Sequence, residues 1–146
     1  VRTMLSEKLK EYLVETGLYD TTEDANYRKV MSDLEINFET PFARFHLYTN
    51  AVTFSGRYSD IYNICWFAIN SSYFNQIENM RSILSLPNEY IPLDSFEGEG
   101  GFFYNKLTGE VLELSLGQPL ADFHKGNLKP QWSDFNTFLE WFFDLS

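Results

Sequence analysis

Gly101-Phe-Phe-Tyr-Asn105, Lys106-Leu-Thr-Gly109 and Glu110-Val-Leu-Glu-Leu114 follow one another as strand, turn and strand. Aromatic and β-branched residues fill both flanks, as a pleated, half-buried ribbon requires. Gly109 supplies the positive φ that such a turn needs. The alternation about Val111 gives the ribbon one buried and one wet face. Working backwards, Tyr90-Ile-Pro-Leu93 reads as a further strand, with Pro92 at an edge or a strand end because it has no N–H for the ladder. Tyr62-Asn-Ile-Cys-Trp-Phe-Ala-Ile69, short, aromatic and bounded by polar residues, predicts a buried strand.

Helical spacing surrounds this β section. From Thr3 to Glu15, Leu5, Leu9 and Leu13 recur four apart beside Tyr12, with charges on the other side and Gly17 as the stop. Asp20-Thr21-Thr22 offers cap oxygens to a second helix with Val30, Met31 and Leu34 on its apolar stripe. Pro41 after Thr40 starts a third, turning Phe42 and Phe45 inward. Phe74 to Leu84 is helical through Ile77, Met80, Ile83 and Leu84, and Gly117 to Pro130 reads as loop. Ser133 or Asp134 caps a last helix carrying Phe135, Phe138, Leu139 and Phe142. Trp141-Phe142-Phe143 cannot all face one way on it. Helices first, sheet in the middle and a helix last predict an α+β fold. The expected architecture is one domain over residues 1–146, with N-terminal helices on a central, mostly antiparallel sheet and a C-terminal helix.

The bulk numbers agree with a packed domain. Of the 146 residues 44% are hydrophobic and 18% aromatic, enough apolar surface to offset the ordering entropy of the chain. Twenty-one acidic against 11 basic residues leave a formal charge of −10. Such a surface repels phosphate backbones and anionic lipid, which argues against nucleic acid and membrane as partners and favours a basic protein. Cys65 is the only cysteine and lies within an apolar run, so no intrachain disulfide forms and a reducing, cytoplasmic setting is expected. No basic-then-apolar leader opens the sequence, and no 18-residue apolar stretch occurs.

Chemistry-bearing constellations are few. His46, His124 and Cys65 have no metal-ligand spacing, so neither a metal nor another cofactor is expected. No Gly-x-Ser-x-Gly elbow is present, and Gly98-Glu-Gly-Gly101 lacks the Lys-Ser/Thr of a phosphate loop. It reads instead as a bend leading into the strand at Phe102. Glu97 and Glu99, with Asp94 nearby, offer an acid and a base on paper, and equally an acidic rim for the Arg and Lys side chains of a partner.

The order of these pieces resembles the SUKH superfamily, which contains yeast cell-wall synthesis regulators and many bacterial toxin-immunity proteins. The resemblance rests on Asp33-Leu-Glu-Ile-Asn-Phe38 leading to Thr40-Pro-Phe-Ala-Arg-Phe-His-Leu-Tyr-Thr-Asn50, and on Tyr90-Ile-Pro-Leu-Asp94. Gly98-Glu-Gly-Gly-Phe-Phe-Tyr104, Thr108-Gly-Glu-Val111 and the closing Phe135, Phe138, Leu139, Glu140 and Trp141 extend it over roughly residues 24 to 145. Ala51 departs from the Asn-Gly step usual there, Phe42 replaces a small or polar residue after the Pro, and Phe74 to Leu84 resembles an insert. The resemblance implies binding without catalysis, and for an immunity-type member a cognate toxin, often a nuclease. An acidic protein would meet a cation-lined cleft, with Asp94, Glu97, Glu99, Asp60 and Tyr58 as the expected contact residues. The alternatives are a regulatory interaction module unrelated to toxins, a ligand-sensing domain with an aromatic pocket, and a small hydrolase using Glu97 and Glu99.

Overall fold

A computed structural model describes residues 4–57 and 59–145. Its elements run α1 (Glu7–Glu15), α2 (Ala25–Asp33), α3 (Pro41–Leu47), β1 (Thr53–Ser55), β2 (Asp60–Tyr62), α4 (Ile64–Asn70) and α5 (Tyr73–Leu84). They continue with β3 (Tyr90–Pro92), a 3-10 turn (Glu97–Glu99), β4 (Gly100–Asn105), β5 (Val111–Ser115), α6 (Gln118–His124) and α7 (Phe135–Phe142). The fold is α+β with a helix at its C-terminal end. Its antiparallel strands are shared between two small sheets, β1-β2 and β3-β4-β5, where one central sheet was expected. The chain forms two compact units, Val1–Ser71 with Asn136–Ser146, and Ser72–Phe135.

In the first unit the starts of α1 to α4 each have a side-chain acceptor. The Ser6 hydroxyl accepts from the Leu9 N–H at the head of α1, and the Thr40 hydroxyl accepts from Ala43 at 3.2 Å, with Pro41 opening α3. The cap of α2 is Asp24, whose carboxylate accepts from Asn26 at 2.8 Å; Asp20 instead closes a turn on Thr22. The segment expected as a strand from Tyr62 to Ile69 is mostly helix α4. Asn63 decides this: its Oδ1 accepts from Trp66 N–H while its Nδ2 donates to the Ala51 carbonyl. The core is aromatic, with Phe45 against Phe54 at 4.6 Å, Tyr12 against Phe143 at 4.7 Å and Phe138 stacked on Phe142. Of the three consecutive aromatics, Phe142 and Phe143 are buried and Trp141 is half-buried under the Arg57 guanidinium.

The second unit is built on β3-β4-β5. The register pairs Phe103 with both Pro92 and Leu112. Phe103, Leu112, Leu114 and Tyr90 form one apolar face, against which Leu84, Leu86 and the partly buried Met80, Leu120, Phe123 and Leu128 pack. The other face sets Phe102 against Trp132 and Tyr104 against Phe135. The hairpin turn forms as read: Gly109 has φ 82°, and the Asn105 side chain accepts from Leu107 and Thr108. The Gly117–Pro130 stretch contains helix α6, which the sequence reading missed.

Both outer strands of this sheet have their main-chain groups engaged. On β3, the Pro92 carbonyl accepts the Tyr73 hydroxyl at 2.6 Å and the Tyr90 carbonyl accepts Arg81 Nε at 3.2 Å. On β5, Val111 bridges to Trp132, and the Gln131 amide holds both the N–H and the C=O of Glu113. These are the devices that keep a sheet from adding a foreign strand.

Candidate functional site

The loop from Asp94 to Phe102 joins β3 to β4 and carries three of the five expected contact residues. Its path follows from one side chain. Asp94 is only 8% exposed, with Oδ1 accepting from Phe96 N–H at 3.1 Å and Oδ2 from Phe102 N–H at 3.4 Å. Its own carbonyl accepts the Gln76 side-chain amide of α5 at 2.8 Å. Gly101 lies opposite, and a Cβ there would overlap the carboxylate, with Cγ at 3.0 Å. Glycine at 101 is what lets the loop close over a buried acid.

Above that anchor the backbone is forced into the left-handed region at Phe96 (φ 59°), Gly98 (φ 67°) and Glu99 (φ 65°). Glycine adopts such angles freely, whereas Phe96 and Glu99 hold them at a cost of about 1 kcal/mol or more each. Phe96 is kept in place by its ring, which packs on the apolar face and lies 5.8 Å from Phe103. Glu99 is tied by its carbonyl, which accepts from Leu116 N–H at 3.0 Å. Glu97 and Glu99 are exposed, so the loop presents two carboxylates on a backbone fixed from below.

Asp94 itself faces inward, and the expectation of a rim residue is corrected to that of an anchor. Burial pushes its carboxyl up to about 6, outweighing the two N–H donors that favour the charged form; Glu113 and Glu97 push it the same way. A perturbed carboxyl is one mark of a catalytic acid. Here both oxygens are engaged by main chain, and a general acid needs a substrate within reach of them. Glu113, exposed on β5 opposite Phe102, belongs to the same acidic surface and was not singled out from the sequence. The strand register supplies the signal that could have found it.

Asp60 is exposed at the start of β2, in the first unit. Tyr58 lies outside the described residues. Among the described residues no three His, Cys, Asp or Glu side chains converge as metal ligands, and no helix is long and apolar enough to cross a membrane. His46 is fully buried; its Nδ1 accepts from Ile64 N–H, and burial lowers its pKa to about 3, so the ring is neutral. Cys65 is buried beside the Tyr27 carbonyl, and burial raises its thiol pKa far above the ordinary value. A thiol held protonated in this way is a poor nucleophile.

No family model matches the sequence, and neither a curated protein nor a solved structure matches it. Residues and geometry carry the functional argument.

Proposed function

We propose that this chain is a non-catalytic protein-binding domain of the immunity type, neutralising a cognate toxin by direct contact with a basic surface. The observation that carries the reading is the Asp94–Phe102 loop, which presents Glu97 and Glu99 to solvent on a backbone pinned from below. A pre-set carboxylate pair loses little freedom when it meets Arg or Lys side chains, which favours tight charge-assisted contact. The formal charge of −10 steers a cationic partner towards it, and a nuclease cleft lined with cations is such a partner. The engaged edges of the three-stranded sheet favour contact through side chains over strand addition. The resemblance to the SUKH superfamily points the same way.

Affinity capture from the native cell at low and high salt tests this, using wild type and a Glu97→Lys/Glu99→Lys chain. The expected catch is a basic protein that is toxic when expressed alone and harmless when wild type is co-expressed. Its retention falls with salt, and charge reversal weakens binding by about tenfold or more. Recovery of signalling or cell-wall enzymes unaffected by charge reversal would instead make the chain a regulatory module.

A further inference from the structure

We propose that Asp94 is a proton-operated latch on the Asp94–Phe102 loop: the protonated carboxyl favours the closed loop, and the ionised one, pressed by Glu97 and Glu113, favours opening. The geometry supplies every part of such a device. A carboxyl is enclosed at the root of a surface loop, seated over a glycine that leaves room for it, and bonded to the first and last stretches of that loop through Phe96 and Phe102. The positive-φ residues Phe96 and Glu99 lie in the segment that these bonds span. The acids that press on the carboxyl are Glu97 from the 3-10 turn and Glu113 from β5, while α5 contributes the neutral Gln76 amide to the Asp94 carbonyl and the Tyr73 hydroxyl to the Pro92 carbonyl.

The direction follows from linkage. In the closed loop the carboxyl is pushed from 3.8 up to about 6, and in the open loop it meets water and returns towards the ordinary value. Protons therefore bind the closed form more tightly, and closure is strongest below the ordinary pKa and weakens as pH rises through about 6. Integrated between pH 5 and pH 8, the closed-to-open ratio falls about tenfold. A cation docked against Glu97 and Glu113 would offset the repulsion that favours opening. As regulation of partner binding the latch rests on the function proposed above; as a property of the loop it does not.

The test therefore uses the chain without a partner. Amide exchange of Phe102, corrected for the intrinsic pH dependence of exchange, is measured by NMR from pH 5 to pH 8 alongside the Asp94 carboxyl resonance. The expected result is a roughly tenfold loss of protection that follows the titration of Asp94. In Asp94→Asn, which mimics the protonated form, protection is expected to be flat with pH. If that variant does not fold, Glu97→Gln/Glu113→Gln alters only exposed groups and is expected to move the midpoint down. Protection in wild type that is independent of pH, a pH dependence that survives in Asp94→Asn, or a midpoint unmoved in the double variant would each overturn the latch. None of these outcomes depends on whether a toxin is ever captured.

Discussion

The two units carry the same excess of acid and handle it differently. The first has 12 acidic and 7 basic residues and the second 9 and 4, so each has a formal charge of −5. In the first, Arg28 pairs with Glu23, Lys29 with Asp33, Arg44 with Glu39 and Arg57 with Asp144. In the second, Glu97, Glu99 and Glu113 are exposed, and no described cation pairs with their side chains. The buried polar groups differ as well. Those of the first unit include neutral His46, Asn63 and Asn136, which fix chain segments: the Asn136 amide holds both Ser6 N–H and the Met4 carbonyl. The second buries a carboxyl, Asp94, directly beneath its acidic loop. Both units use buried polar groups to fix chain segments, Asn105 and Asp94 among them, but the second sets a buried acid beneath exposed acids.

The largest effects expected from breaking this contrast are steric. Gly56→Ala in the first unit drives a methyl into the ring of Phe142, which is enclosed by Phe138 and Phe143, and should lower stability by about 3 kcal/mol. Gly101→Ala in the second should lower it by about 2 kcal/mol by displacing the Asp94 carboxylate. Urea denaturation of each variant checks both values. The second case allows a sharper test: adding Asp94→Ala to Gly101→Ala should recover part of the loss. Strictly additive costs would mean that the Gly101–Asp94 contact does not set the loop.

Next in size is an opposition between the two buried titratable groups. His46, lowered to about 3, contributes stability that is full above 6.5 and is lost as pH falls towards 3. Asp94, raised to about 6, contributes stability that is full below 3.8 and is lost as pH rises through 6. Between pH 7.5 and pH 5 the first costs about 2 kcal/mol and the second returns about 1.4 kcal/mol, so wild type should change little over that range. Asp94→Asn should expose the full acid loss of about 2 kcal/mol. Urea midpoints at pH 7.5, 6 and 5 distinguish this from a common charge effect, which would leave wild type and variant parallel.

That opposition also marks the limit of what could be read from the sequence. The β4–β5 hairpin was legible because its turn chemistry is local: Asn105 and Gly109 sit at the positions that close it. The start of α3 at Thr40-Pro41 was legible for the same reason, as were Ile77 and Leu84 on the buried side of α5; Ile83, expected on the same stripe, is 68% exposed. Tyr62 to Ile69 was not legible, because a short aromatic and β-branched run fits strand and buried helix equally and only the Asn63 cap separates them. At the site, sequence gives charge but not direction. Asp94, Glu97 and Glu99 read alike, and it is the room beside the side-chain-free Gly101, with the N–H groups of Phe96 and Phe102, that takes the first of them inward. Glu113 joins them through the register of the β4–β5 hairpin, which has to be counted outward from its turn before Glu113 falls opposite Phe102.

The smallest expected effects lie in the surface charges, and their signs carry the comparison furthest. Lys29 and Asp33 form an exposed i,i+4 pair, so Lys29→Ala should lower stability by no more than about 0.5 kcal/mol. Glu97→Gln removes an acid that opposes the Asp94 carboxylate, so it should raise stability by up to about 0.5 kcal/mol at neutral pH. Both shifts should vanish at high salt, because both arise between solvent-screened charges. Thermal unfolding at low and high salt gives the signs directly. If Glu97→Gln destabilises the chain at low salt, repulsion is not what Glu97 contributes to the loop, and the second unit holds its acids as the first does, through favourable local contacts. If it stabilises, the wild-type loop keeps an acid that its own fold would do better without, as expected where a side chain is retained for a cationic partner rather than for stability.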